Sequence, residues 1–151
     1  MKKYTNAGFT LIELLMVITI IGILMAIVLA VLSTARNRGD DAAVKSNLVS
    51  ARSAADLYFD SNSTSYGNFS AGTCPASVTA GSMFSNQNII NMINAAVAAG
   101  DGTSRCVATG NAYAIAVGMK TSGQSWCISS LGTSKQFAGT PAAAITGTNC
   151  N

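Results

Sequence analysis

Histidine is absent from the sequence, glutamate occurs once, as Glu13, and proline only twice. Without histidine a Ser-His-Asp triad is impossible, and the commonest general base and zinc ligand go with it. The plentiful serines therefore have no such triad to join. Paired-carboxylate chemistry is left to Asp40, Asp41, Asp56, Asp60 and Asp101, the first four on one helical stretch or at its end. Charge is scarce as well: nine Lys and Arg face six Asp and Glu, a net +3. Without Lys2 and Lys3 at the extreme N-terminus, seven face six, or +1, which gives no case for nucleic-acid binding by bulk charge. These shortages predict no catalytic residues, no cofactor, no metal and no sequence-specific nucleic acid.

The four cysteines, Cys74, Cys106, Cys127 and Cys150, show no CxxC spacing and all follow the long apolar run. An even number with no histidine points to two disulfides rather than a metal site, in a half of the chain that lies outside the cytoplasm. Four cysteines permit three pairings. We expect Cys74–Cys106, closing a loop across a second helix, and Cys127–Cys150, tying the C-terminal tail to a hairpin.

Residues 9–32 read FTLIELLMVITIIGILMAIVLAVL, with Glu13 the single charge. That length crosses the ~30 Å hydrocarbon core as a helix. A secretory signal would have a shorter apolar core and no carboxylate. An ordinary anchor gives no reason for Glu13, which would cost ~2.5–3.5 kcal/mol at the bilayer centre. Val44, Leu48, Ala51, Ala55 and Tyr58 continue a helical face, and residues 9–60 contain no proline. One helix over about 9–60 follows, its first half apolar all round and its second half laying one face on a domain.

Beyond it, SNSTSYG stops the helix. A second helix is expected at about 86–99, with Ser85 as N-cap, Gly100 as stop and Ile89, Ile90, Ile93, Ala96 and Val97 as its buried stripe. Residues 111–120 alternate as a half-buried strand, 121–124 turn, and 125–131 return with Trp126 and Ile128 inward. After Gly132 the pattern allows at most one short edge strand, around 143–146. Tyr58, Phe59, Tyr66 and Phe69 read as packing residues. Arg36, Arg38, Lys45 and Arg52, interleaved with Asp40, Asp41 and Asp56, read as solvated or intersubunit pairs. The sequons at Asn62 and Asn68 lie in a stretch so rich in Asn and Ser that chance explains them.

The run Gly8–Phe9–Thr10–Leu11–Ile12–Glu13–Leu14–Leu15, behind a short Lys-bearing leader, resembles the prepilin family of type IV pilins and type II secretion pseudopilins. The resemblance implies an α+β pilin fold, a long N-terminal helix packed on a small antiparallel sheet. It divides the chain into a leader (1–8), a membrane and assembly half-helix (9–32) and a globular domain (33–151). It implies cleavage between Gly8 and Phe9 by a prepilin peptidase, methylation of the Phe9 amine and a role for Glu13 in assembly. The partners implied are the pilus assembly machinery, the cytoplasmic membrane before assembly and copies of the chain in an extracellular filament serving adhesion, motility or DNA uptake. Relatives often carry a proline where this chain has Ala30. A secretion pseudopilin or a minor, tip-located pilin is the alternative, and a membrane-tethered enzyme lacks the residues.

Overall fold

The computed structural model describes residues 8–151 and divides into two compact units at Arg36/Asn37. Helix α1 (Leu11–Ser61) contributes to both. No proline interrupts it, and its interior glycines, Gly22 and Gly39, each weaken a helix by only ~1 kcal/mol relative to alanine. It ends at Ser61, after which Ser63 and Thr64 take φ of 55° and 54°, the left-handed region.

In the first unit the helix is apolar on every side. Its large side chains from Phe9 to Leu32 are 45–84 % exposed. In the second unit one face is buried: Val44, Leu48, Ala51 and Ala55 lie at helical spacing and are fully enclosed.

The sheet that receives this face has five antiparallel strands in sequence order: β1 (Phe69–Gly72), β2 (Ser104–Ala108), β3 (Tyr113–Gly118), β4 (Gln124–Ser129) and β5 (Ser134–Ala138). Tyr113, Ile115 and Val117 of β3 and Ile128 of β4 pack with α1 and with Ile89, Ile90 and Ile93 of α2 (Gln87–Ala99). Burying each side chain of this size contributes about 1.5–3 kcal/mol. Phe59 and Tyr66 pack tilted at 4.5 Å between ring centroids, Tyr66 meets Tyr113 edge-on at 4.8 Å, and Phe69 meets Phe84 edge-on.

Several expectations need correction. The cap of α2 is Asn86, whose side chain accepts from Asn88 N–H at 2.9 Å, because Ser85 is taken up by a 3-10 turn at Met83–Ser85. Gly100 does stop that helix, its N–H donating to the Ala96 carbonyl at 2.9 Å; a side chain there would collide with the Gly118 carbonyl. Val97 is half-buried. Strand β3 is buried on both faces, not one. The second cover comes from the C-terminal stretch, expected to be nearly structureless. There β5 joins the main sheet, α3 (Pro141–Ala144) follows, and β6 (Ile145–Thr146) pairs with β7 (Asn149–Cys150). Ala144 and Ile145 close over Val107, Ala114, Ala116 and Cys127 on the face turned away from α1.

The disulfides are Cys74–Cys106 and Cys127–Cys150, the pairing favoured on sequence grounds. Asp41, grouped above with the solvated or intersubunit pairs, is instead 7 % exposed and bonded within its own unit. Its Oδ1 accepts from Lys120 N–H at 2.7 Å and Thr121 N–H at 3.2 Å, and Oδ2 accepts from the Thr121 hydroxyl. A carboxylate on α1 thus satisfies the turn between β3 and β4.

Candidate functional site

Gly8, Phe9 and Thr10 precede α1, lie outside any helix or strand and are exposed, Phe9 at 84 %. Lys2 and Lys3 of the expected leader lie outside the described residues. Helix α1 begins two residues later than the hydropathy pattern suggested, and Thr10 explains the start. The Thr10 carbonyl accepts from Leu14 N–H at 3.3 Å, the first helical bond. Its hydroxyl oxygen accepts from Glu13 N–H at 3.3 Å. In return Glu13 Oε2 accepts from Thr10 N–H at 2.9 Å and from the Thr10 hydroxyl at 2.7 Å. This reciprocal arrangement is a capping box, with Thr10 as N-cap and Glu13 at the third helical position.

Sequence reasoning missed Thr10. Its signal was present as Thr-x-x-Glu before an apolar run, which is the capping-box pattern. Glu13 therefore has one role the sequence reading did not give it. A carboxylate in the first turn also meets the positive end of the helix dipole, which favours it. The amide that Glu13 holds in this precursor is that of Thr10.

Besides Thr10 and Glu13, the polar side chain within residues 9–32 is Thr19. Its hydroxyl donates back to the Met16 carbonyl at 2.8 Å. All three thus bond within the helix's own first turns, and the rest of the exterior is apolar. The helix is long and apolar enough to cross a membrane. A surface of this kind suits lipid or other helices, since in hydrocarbon every polar group must find an internal partner.

In the second unit three carboxylates serve the fold. Asp41 holds a turn, Asp56 Oδ1 accepts from the Tyr66 hydroxyl at 3.4 Å, and Asp101 Oδ1 accepts from Thr103 N–H at 2.8 Å and its hydroxyl at 2.6 Å. A cleft of about 320 Å³ opens beside Asp101, between Thr103 and Thr140. The paired cysteines lie in the sheet and its flanking segments.

Residues 3–33 match the family described as the prokaryotic N-terminal methylation motif. No curated protein and no solved structure gives a significant match. The motif is that of proteins processed by prepilin peptidase, and it runs into the capped apolar helix described above. With a long helix packed on a small antiparallel sheet behind that leader signature, the chain fits the family of type IV pilins and secretion pseudopilins.

Proposed function

We propose that the protein is the structural subunit of a type IV pilus filament. The observation that carries this reading is the methylation motif over residues 3–33 leading into a helix that is apolar on all sides. Residues 1–8 act as the leader, 9–32 as the membrane and assembly segment, and 33–151 as the globular domain. Prepilin peptidase cuts between Gly8 and Phe9 on the cytoplasmic side, ahead of the helix, so the helix stays on the protein. The new Phe9 amine is methylated and keeps its charge.

That ammonium stands at the positive end of the helix dipole, an unfavourable place for it. Glu13 offsets it. Both Thr10 bonds fall on Oε2, and an ionised carboxylate accepts at about four lone-pair sites, so among the described residues Oε1 is left to accept from an amine. In a growing fibre the amine of an incoming subunit meets Glu13 of a neighbour, which sets axial register as well as relieving desolvation. Removing one member of such a pair leaves the other charge buried alone, at ~3–5 kcal/mol per subunit added. Helices leave lipid only when other helices replace it, so the cost recurs at every step.

Shearing the cells and weighing the fibre protein intact tests the reading. The expected mass lacks residues 1–8 and carries one added methyl. Glu13→Val should leave both disulfides formed, subunit accumulated in the membrane and few or no fibres. A mature chain beginning after Ala30, or wild-type fibre numbers from the Glu13→Val strain, would count against it.

A further inference from the structure

We infer that Thr10 is a positioning residue for leader removal: its capping box stops α1 at Leu11 and so keeps the Gly8–Phe9 bond out of the helix. The inference rests on the leader reading above and adds a residue and a device to it. A membrane-inserted apolar segment has every reason to extend its helix backwards, because lipid offers its N–H groups no other partner. Extension by one turn would give Glu13 N–H to the Phe9 carbonyl and Ile12 N–H to that of Gly8. The scissile carbonyl would then be spent in a helical bond and crowded by the turn above it.

The capping box prevents this at one atom. Glu13 N–H, the donor that extension needs first, is bonded to Thr10 Oγ1 at 3.3 Å. Thr10 N–H is held by Glu13 Oε2 at 2.9 Å, which fixes the residue just after the scissile pair. Gly8, Phe9 and Thr10 accordingly sit outside the helix and exposed. Hydrolysis breaks the Gly8–Phe9 C–N bond; the water oxygen joins the Gly8 carbonyl carbon and a proton goes to the Phe9 nitrogen. No group of the box takes part in that chemistry. Thr10 and Glu13 act only on the shape in which the bond is offered.

The test uses the full-length precursor in membranes containing prepilin peptidase, with leader release followed in time. Thr10→Val keeps the shape of the side chain and loses the acceptor. Thr10→Ser and Thr10→Asn lose the shape and keep an acceptor suited to capping. Cleavage of the Val variant should slow about fivefold, the effect of an ordinary cap loss. The Ser and Asn variants should run within about twofold of wild type, as capping residues of similar rank. A Val variant cut at the wild-type rate overturns the inference and leaves the leader reading standing. Equal slowing in all three variants also overturns it, since the peptidase would then be reading the threonine itself. A wild-type precursor cut elsewhere than Gly8–Phe9 removes both together.

Discussion

Asp41 and Tyr113 carry opposite lessons about a polar group inside a core. Asp41 is fully used: three donors from Lys120 and Thr121 converge on it and pin the β3–β4 turn to α1. Hydrogen bonds to a charged group contribute about 1.5–3 kcal/mol each, and truncation leaves two backbone N–H groups unpaired. Asp41→Ala should therefore lower stability by about 2–4 kcal/mol in a denaturant titration of the detergent-solubilised protein. The Tyr113 hydroxyl, by contrast, is buried with no hydrogen-bond partner among the described residues. Burial first, then the nearby Asp56 charge and Tyr66, push its ionisation above the ordinary phenol range. The neutral form is the one the fold keeps. Below the unfolded pKa of about 10 its contribution is constant; as pH rises past that value the unfolded chain ionises first, and stability falls. Tyr113→Phe should fold normally and lose less stability than wild type between pH 8 and 11, read as the shift in denaturant midpoint. Neither role was legible in the sequence. Asp41 looked like one more solvated charge, because the residues that use it lie 79 and 80 positions away.

Among the elements, period decided what could be read. The second half of α1 and all of α2 repeat apolar residues every three or four positions, so their existence, type and buried faces were plain, and apart from Val97 only their ends were displaced. Those ends depend on single side chains, Thr10 and Asn86, and each had a near neighbour of equal cap quality or a competing apolar pattern. Strands β3 and β4 were legible for the same reason, at period two. Strands β1 and β5 were not. FSAG is too short to show alternation, and SKQFA lies at an exposed sheet edge where no face need be apolar. Strand β2, SRCVA, hides its pattern because Cys106 and Val107 are both buried, on opposite faces. Gly8, Phe9 and Glu13 were singled out by their resemblance to the prepilin motif, whereas the local geometry around them, the Thr10 capping box, was not read. Helix α1 also carries a weakness that can be removed. Gly39 is exposed within the helix, and a Cβ there would meet nothing within 4 Å. Gly39→Ala should raise stability by about 0.5–1 kcal/mol, visible as a higher melting temperature of the domain, without touching the core.

For the second unit as a whole, the organising fact is a sheet covered on both sides from different parts of the chain. Helices α1 and α2 supply one cover; α3 and the β6–β7 pair supply the other, held by Cys127–Cys150 across 23 residues. The Cys74–Cys106 bridge spans 32 residues, and loops of these sizes each correspond to about 3–4 kcal/mol of restricted unfolded chain. The small residues beneath the second cover, Ala114 and Ala116, leave little apolar area to hold it without its bond. Replacing Cys127 and Cys150 together by alanine should thus lower stability by about 3 kcal/mol and speed amide exchange in β6 and β7 ahead of the α1 face. Uniform exchange across both faces would show that the tail is held by packing alone. The same arrangement imposes an order on biosynthesis. Residues 141–150 are translated after every strand of the main sheet, so β3 and β4 meet water on one side until they arrive. During that interval Cys127 has no native partner while Cys74 and Cys106 already do, which leaves the nascent domain open to a wrong bridge at one sulfur and makes the tail's arrival the step that ends the risk.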